Sequence, residues 1–252
     1  MMLRFFIAVI SAAWLHMAAA QVEITSVSID LKDKARLQRG ATLYMNYCSG
    51  CHSLRYMRYN RMAQDLGLTT FSGEVDKDLL VNNLIFTSAE VYDPIRISMP
   101  EVDARQWFGR LPPDLSLSAR ERGADWIYTY LKSFYADSSR PFGANNALVP
   151  DVAMPNILEP LAGVVIADPA RHLAGQSPNY LVLREPGEMS PQQFDSALQD
   201  LVTFLVYVSE PAKLVRYKMG VFVLLFLGVF LVFAYQLKIS YWRDIERSNE
   251  KR

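Results

Sequence analysis

The chain holds two cysteines, Cys48 and Cys51, and His52 follows the second directly, in the stretch "YCSGCHSLRY". Thiols at this spacing with an imidazole behind them serve three chemistries. They form a redox or structural disulfide, supply half of a zinc site, or attach a haem covalently, each thiol adding to a vinyl group while the histidine ligates iron. A closed zinc site needs four ligands. Of the three histidines, His16 falls in an N-terminal leader, which leaves only the distant His172 to complete the set. A thioredoxin-type pair sits in a strand–helix–strand context, whereas here a helical pattern precedes the cysteines. The haem reading uses every part of the motif, because the vinyl groups set the thiol spacing and the two links hold the imidazole under the iron. One covalently attached c-type haem is therefore expected, anchored by Cys48 and Cys51 with His52 as an axial ligand.

A methionine thioether opposite that histidine raises the reduction potential and suits electron transfer. Seven methionines lie between Met45 and Met219. Met45 is too near the motif to reach the other haem face, Met219 opens an apolar terminal segment, and Met57 and Met62 are expected to fill core. Met99 and Met154 each precede a proline in irregular chain, which holds the backbone extended. Met154 lies far enough along to cover the opposite face. Spacing leaves core filler open for any single methionine, and His172 as a rival ligand.

These residues need elements to position them. Residues 30–47 carry a helical stripe of Leu37, Ala41, Tyr44 and Met45, with Asp30 as N-cap. Gly40 costs helix stability there and points to a close helix crossing. Further helices are expected over 76–86 and 101–108, the latter stopped by "GRLPPDLS", whose prolines force 110–114 to be extended. A helix over 115–134 should face Trp126, Ile127, Tyr130 and Leu131 inwards. Residues 138–160, with several prolines, read as a long irregular loop, of the kind that is functional in compact domains. The apolar runs 163–167 and 180–184 are expected to pair as a small β-hairpin. The last helix of this domain covers 191–208, with Ser190 as N-cap and Pro191 in the first turn. The fold class is therefore mainly α, with long loops.

Composition sets the frame. Of 252 residues, 51% are hydrophobic, and two terminal segments hold the excess. "MMLRFFIAVISAAWLHMAAA" has a basic start, an apolar run too short to span ~30 Å of hydrocarbon, and small residues at its end, so 1–20 read as a signal peptide. Met219–Leu237 is uncharged and, as a helix, about 28 Å long at ~1.5 Å per residue. Tyr217, Tyr235, Tyr241 and Trp242 flank it, where amphipathic rings favour the headgroup layer. The expected organisation is an exported haem domain over 21–212, a membrane anchor over 213–240 and a cytoplasmic tail over 241–252. In a bacterium this places the anchor in the inner membrane and the haem domain in the periplasm. Residues 21–212 carry 23 acidic and 17 basic side chains, a balance of −6. That sign argues against nucleic acid and suits a basic protein partner.

The stretches "YCSGCHSLRYMRYNR" at 47–61, "WFGRLPPDLSLSARERGADWIYTYLKSFY" at 107–135, "AMPN" at 153–156 and "LQDLVTFLVYVSEPAKLVRYKMG" at 198–220 resemble, in order, the cytochrome c1 family, the haem subunits of the quinol–cytochrome c reductase. The resemblance implies a cytochrome c-like haem domain with a C-terminal anchor, and Met154 as the sixth iron ligand. It also implies that Pro113 and Leu115 line the haem and that Arg120 approaches a haem propionate. Cytochrome b, a Rieske iron–sulfur protein as electron donor and a soluble or tethered cytochrome c as acceptor are the implied partners, alongside the lipid bilayer. No catalysis is expected of the isolated chain. The alternative is another membrane-tethered c-type cytochrome serving a terminal oxidase. Many relatives carry Asn-Gly-Ala before the PPDLS segment, where this chain has Phe108-Gly109-Arg110-Leu111, so no haem contact is carried over to those four positions.

Overall fold

A computed structural model of the chain describes residues 22–168 and 180–250. The expected leader and His172 lie outside the described residues. Residues up to Ser209 form one compact unit and Glu210–Arg252 a second.

The first unit is built on α1 (Lys34–Leu43) and the long α8 (Pro191–Ser209). The predicted stripe is real: Leu37, Ala41, Tyr44 and Met45 are all buried. The helix begins later than expected, because Asp33 rather than Asp30 caps it, accepting from the Arg36 N–H at 3.0 Å. Asp30 accepts from the Lys32 N–H at 2.9 Å in the turn before. At Gly40 the two helices approach so closely that a Cβ would collide with the Asp200 carbonyl and lie 2.7 Å from Phe204 Cβ. Asp200, a residue only 3% exposed, is held by Arg39 Nε at 2.6 Å and Arg36 Nε at 3.3 Å. Two guanidinium partners offset the desolvation of that buried carboxylate. The N-terminus of α8 is a reciprocal cap, with the Gln193 N–H donating to Ser190 Oγ (3.3 Å) and the Ser190 N–H to Gln193 Oε1 (2.8 Å).

After α1 the chain passes into a π-helical turn, Tyr44–Cys48, a deviation that recurs at functional sites. Next come β1 (Leu54–Arg58) and α2 (Tyr59–Leu66), neither foreseen from the sequence. Met57 and Met62 are buried there as core. Helix α3 (Lys77–Asn83) precedes β2 (Pro94–Ile95), which pairs antiparallel with β1. Helix α4 spans Glu101–Phe108 as expected. The single helix expected over 115–134 is two, α5 (Ser118–Glu121) and α6 (Ala124–Lys132), because Gly123 sits at φ +88°, a conformation that glycine alone adopts without strain.

The expected hairpin forms as β5 (Gly163–Ala167) against β6 (Leu181–Pro186), antiparallel with a bulge near Val164. It is half of a larger sheet of order β4-β3-β5-β6, with β3 at Phe134–Ala136 and β4 at Ala144–Asn146. The loop over 138–160 is therefore less irregular than expected: it contains β4 and the start of α7 (Glu159–Ala162). The second unit carries α9 (Lys213–Glu250). Among the described residues its stretch Lys213–Arg243 is the one helix long and apolar enough to cross a membrane, and its large apolar side chains are exposed.

Candidate haem-binding site

A cavity of about 460 Å³ opens in the first unit, within the range of cofactor sites. Its floor is the cysteine motif that leaves the π-helical turn. Backbone bonds from the N–H groups of Cys51 (3.1 Å) and His52 (2.8 Å) to the Cys48 carbonyl wind the motif into one tight turn. The buried Tyr44 hydroxyl donates to the His52 carbonyl. Cys48, Cys51 and His52 all face the cavity.

The "PPDLS" segment fixes the histidine. His52 Nδ1 lies 2.7 Å from the Pro113 carbonyl oxygen. A carbonyl only accepts, so Nδ1 carries the proton and Nε2 keeps its lone pair for a metal. The segment is itself stitched to the chain behind the motif. The Leu115 N–H donates to the Ser53 carbonyl at 2.9 Å, and the Arg55 N–H to Asp114 Oδ2 at 2.9 Å. The Tyr56 N–H donates to Ser116 Oγ at 3.1 Å. These bonds explain why two proline residues and an aspartate stand together: the extended chain aims its carbonyl at His52, and Asp114 clamps it there.

Met154 lies on the lining too, half-buried, with its sulfur 3.5 Å from the Tyr130 hydroxyl. Tyr130 stacks on Trp126 (centroids 5.2 Å, 6°), and the Arg122 guanidinium sits 5.2 Å over the Trp126 ring. Ile127 and Leu131 from α6 and Leu201 and Leu205 from α8 complete an apolar wall. Burial pushes the Cys48 thiol up to about 12, with Cys51 adding to it, and raises Cys51 as well. Burial lowers His52 against the opposing pull of the Pro113 carbonyl and Asp114. The folded chain thus presents two neutral thiols, a neutral imidazole of fixed tautomer and a thioether around an apolar hollow. Thiols placed to attach a porphyrin, with an imidazole and a thioether to meet its iron, fit a c-type haem. Among the described residues no group of three or more His, Cys, Asp or Glu could hold a bare metal ion.

Of the residues expected at the site, Cys48, Cys51, His52, Pro113, Leu115 and Met154 line this one cavity. Arg120 is exposed and outside the lining, while Arg110 and Arg122 line it. Phe108 and Arg110 also line it, at positions to which no contact was assigned because the local sequence departs from the relatives. Tyr130 had a signal, its place on the inward stripe with Trp126, but nothing in the sequence tied its hydroxyl to Met154.

The Cytochrome C1 family profile matches residues 26–245. The chain is 48% identical over 226 residues to cytochrome c1 of Allochromatium vinosum, covering 88% of this chain and 89% of the relative. It is 40% identical over 230 residues to a protein of Nitrosomonas europaea named ammonia monooxygenase gamma subunit, covering 91% and 92%. A chain of a hyperthermophilic respiratory complex III aligns over 96% of this chain and 97% of its own length, with a TM-score of 0.40 and 15% identity. The family match takes in the cysteine pair, the proline segment, Met154 and the apolar helix, and the chain belongs to the cytochrome c1 family, the haem-bearing subunits of respiratory complex III.

Proposed function

We propose that the chain carries one haem c, linked through Cys48 and Cys51 and ligated by His52 and Met154. In this reading it passes single electrons from a Rieske iron–sulfur protein to a cytochrome c inside a membrane quinol–cytochrome c reductase. The observation that carries the reading is the convergence of the thiols, the oriented imidazole and the thioether on one apolar cavity. The haem, when bound, supplies a one-electron change at iron. The chain's own residues do the rest. The Pro113 carbonyl orients His52, so the imidazole meets the metal without reorganising. The wall of Leu115, Trp126, Ile127 and Leu205 excludes water, which disfavours the more highly charged oxidised state. Arg110 and Arg122 offer forked donors suited to carboxylates at the cavity, and Arg120 is the position the family resemblance gives for that role.

The signal peptide and anchor reading places the haem domain in the periplasm of a bacterium, tethered beside cytochrome b. The acidic balance of residues 21–212 favours a basic cytochrome c as acceptor, since opposite charge speeds encounter. Haem staining of a denaturing gel tests the covalent link: the band should retain peroxidase activity. Met154→Leu should keep that stain yet lose the near-infrared sulfur–iron band and lower the potential. A surviving band would remove Met154 from the iron. Purification with cytochrome b and a Rieske protein tests the assembly; recovery with a terminal oxidase or a monooxygenase instead would refute it.

A further inference from the structure

We propose that Tyr130 is a positioning residue for the sulfur ligand, its hydroxyl donating to Met154 Sδ and setting how strongly that sulfur donates to iron. This rests on Met154 as the sixth ligand. The hydroxyl and the sulfur are 3.5 Å apart. A thioether sulfur has two lone pairs, so one can meet the metal while the other accepts the O–H. A hydrogen bond to the second draws density from the first, weakens donation to the oxidised iron more than to the reduced one, and favours reduction.

The surroundings hold this contact in place from both ends. The Tyr130 ring is pinned between Trp126, stacked at 5.2 Å, and Phe134, edge-on at 5.2 Å and 73°. Its backbone carbonyl accepts from Asn146 Nδ2 at 2.8 Å. Asn146 is wholly buried, and its Oδ1 accepts from the N–H groups of Leu148 (2.9 Å) and Val149 (3.0 Å). Asn145 Oδ1 accepts from the Asp151 N–H at 2.9 Å. One buried carboxamide thus joins the residue that bears the hydroxyl to the turn that leads into Met154. The chain from 148 to 154 closes the loop back to the Tyr130 side chain. A phenylalanine would make the same ring contacts without burying a hydroxyl, which costs free energy unless it is bonded. The hydroxyl therefore answers to the sulfur and not to packing.

The variant Tyr130→Phe in the full haem-loaded chain tests this. Expected is a lower reduction potential, equivalent to roughly a fivefold change in the oxidised-to-reduced ratio at fixed applied potential, with the near-infrared sulfur–iron band displaced but present. A residue that only packs would leave both unchanged, and that outcome overturns the proposal. The unmutated reduced protein provides a check that needs no variant to fold. NMR should show a slowly exchanging Tyr130 hydroxyl proton with cross-relaxation to the Met154 methyl, and its absence overturns the proposal equally. The two readings fail differently. If Met154 is not the ligand, Met154→Leu keeps the band and both fall; if only the tuning is wrong, the band still depends on Met154 and ignores Tyr130.

Discussion

At the scale of single residues, the cavity-facing His52 is governed by a residue outside the cavity lining. Asp114 accepts from the N–H groups of Arg55 and Ser116, each at 2.9 Å, and so locks the extended segment whose Pro113 carbonyl holds His52. Removing the carboxylate takes away both bonds, one at the exposed Arg55 and one at the buried Ser116. Asp114→Ala should therefore destabilise the haem-loaded protein by about 1–3 kcal/mol, read as a lower urea midpoint. It should also let exogenous imidazole compete more readily at the iron. Unchanged stability and unchanged imidazole binding together would mean that the clamp does not govern His52. Burial keeps the Cys48 thiol protonated up to about 12, so the folded chain offers little thiolate near neutral pH.

At the scale of elements, the site depends on how closely α1 and α8 cross, because α1 leads directly into the cysteine turn while α8 supplies Leu201 and Leu205 to the wall. Gly40 permits that approach. Alanine there would gain helix propensity worth ~1 kcal/mol. Its Cβ, however, would meet the Asp200 backbone and Phe204 Cβ, neither the free end of a flexible chain. Overpacking of this kind costs about 1–3 kcal/mol, and the rigid backbone neighbour puts the cost at the upper end. Gly40→Ala should lower the denaturation midpoint despite its better propensity; a rise would show that the helices can part freely.

At the scale of the whole molecule, several buried phenols couple stability to pH. The Tyr207 hydroxyl on α8 donates to Asp65 Oδ2 on α2 at 2.8 Å, and Arg61 bonds the same oxygen at 2.6 Å. Burial first, then the bond to Asp65, raises the Tyr207 phenol far above its ordinary 10.0. Burial raises Tyr44 likewise and brings Tyr130 up to about 12. Below pH 10 folded and unfolded chains both keep these protons and stability is full. As pH rises beyond 10 the unfolded chain releases them first, so stability falls. Urea denaturation of the haem-loaded protein should show a decline setting in above about pH 10, less steep in Tyr207→Phe. An identical slope in that variant would assign the alkaline loss to other groups.

What the sequence determined by itself was chemistry written in short range. Cys48, Cys51 and His52 point to a c-type haem through a spacing that is local, and the Leu37–Met45 stripe declares a buried helix because its period is local. The apolar run from Met219 is legible for the same reason, as is the hairpin of two apolar runs. What only the tertiary structure decided depends on contacts between distant parts of the chain. Gly123 splits one expected helix in two through its φ, and β3 and β4 join the hairpin into a four-stranded sheet by pairings that no local pattern encodes. The Pro113–His52 contact spans 61 residues and the Tyr130–Met154 contact 24. Such bonds arise where the packed fold happens to bring donor and acceptor together, and a one-dimensional pattern holds no record of that distance.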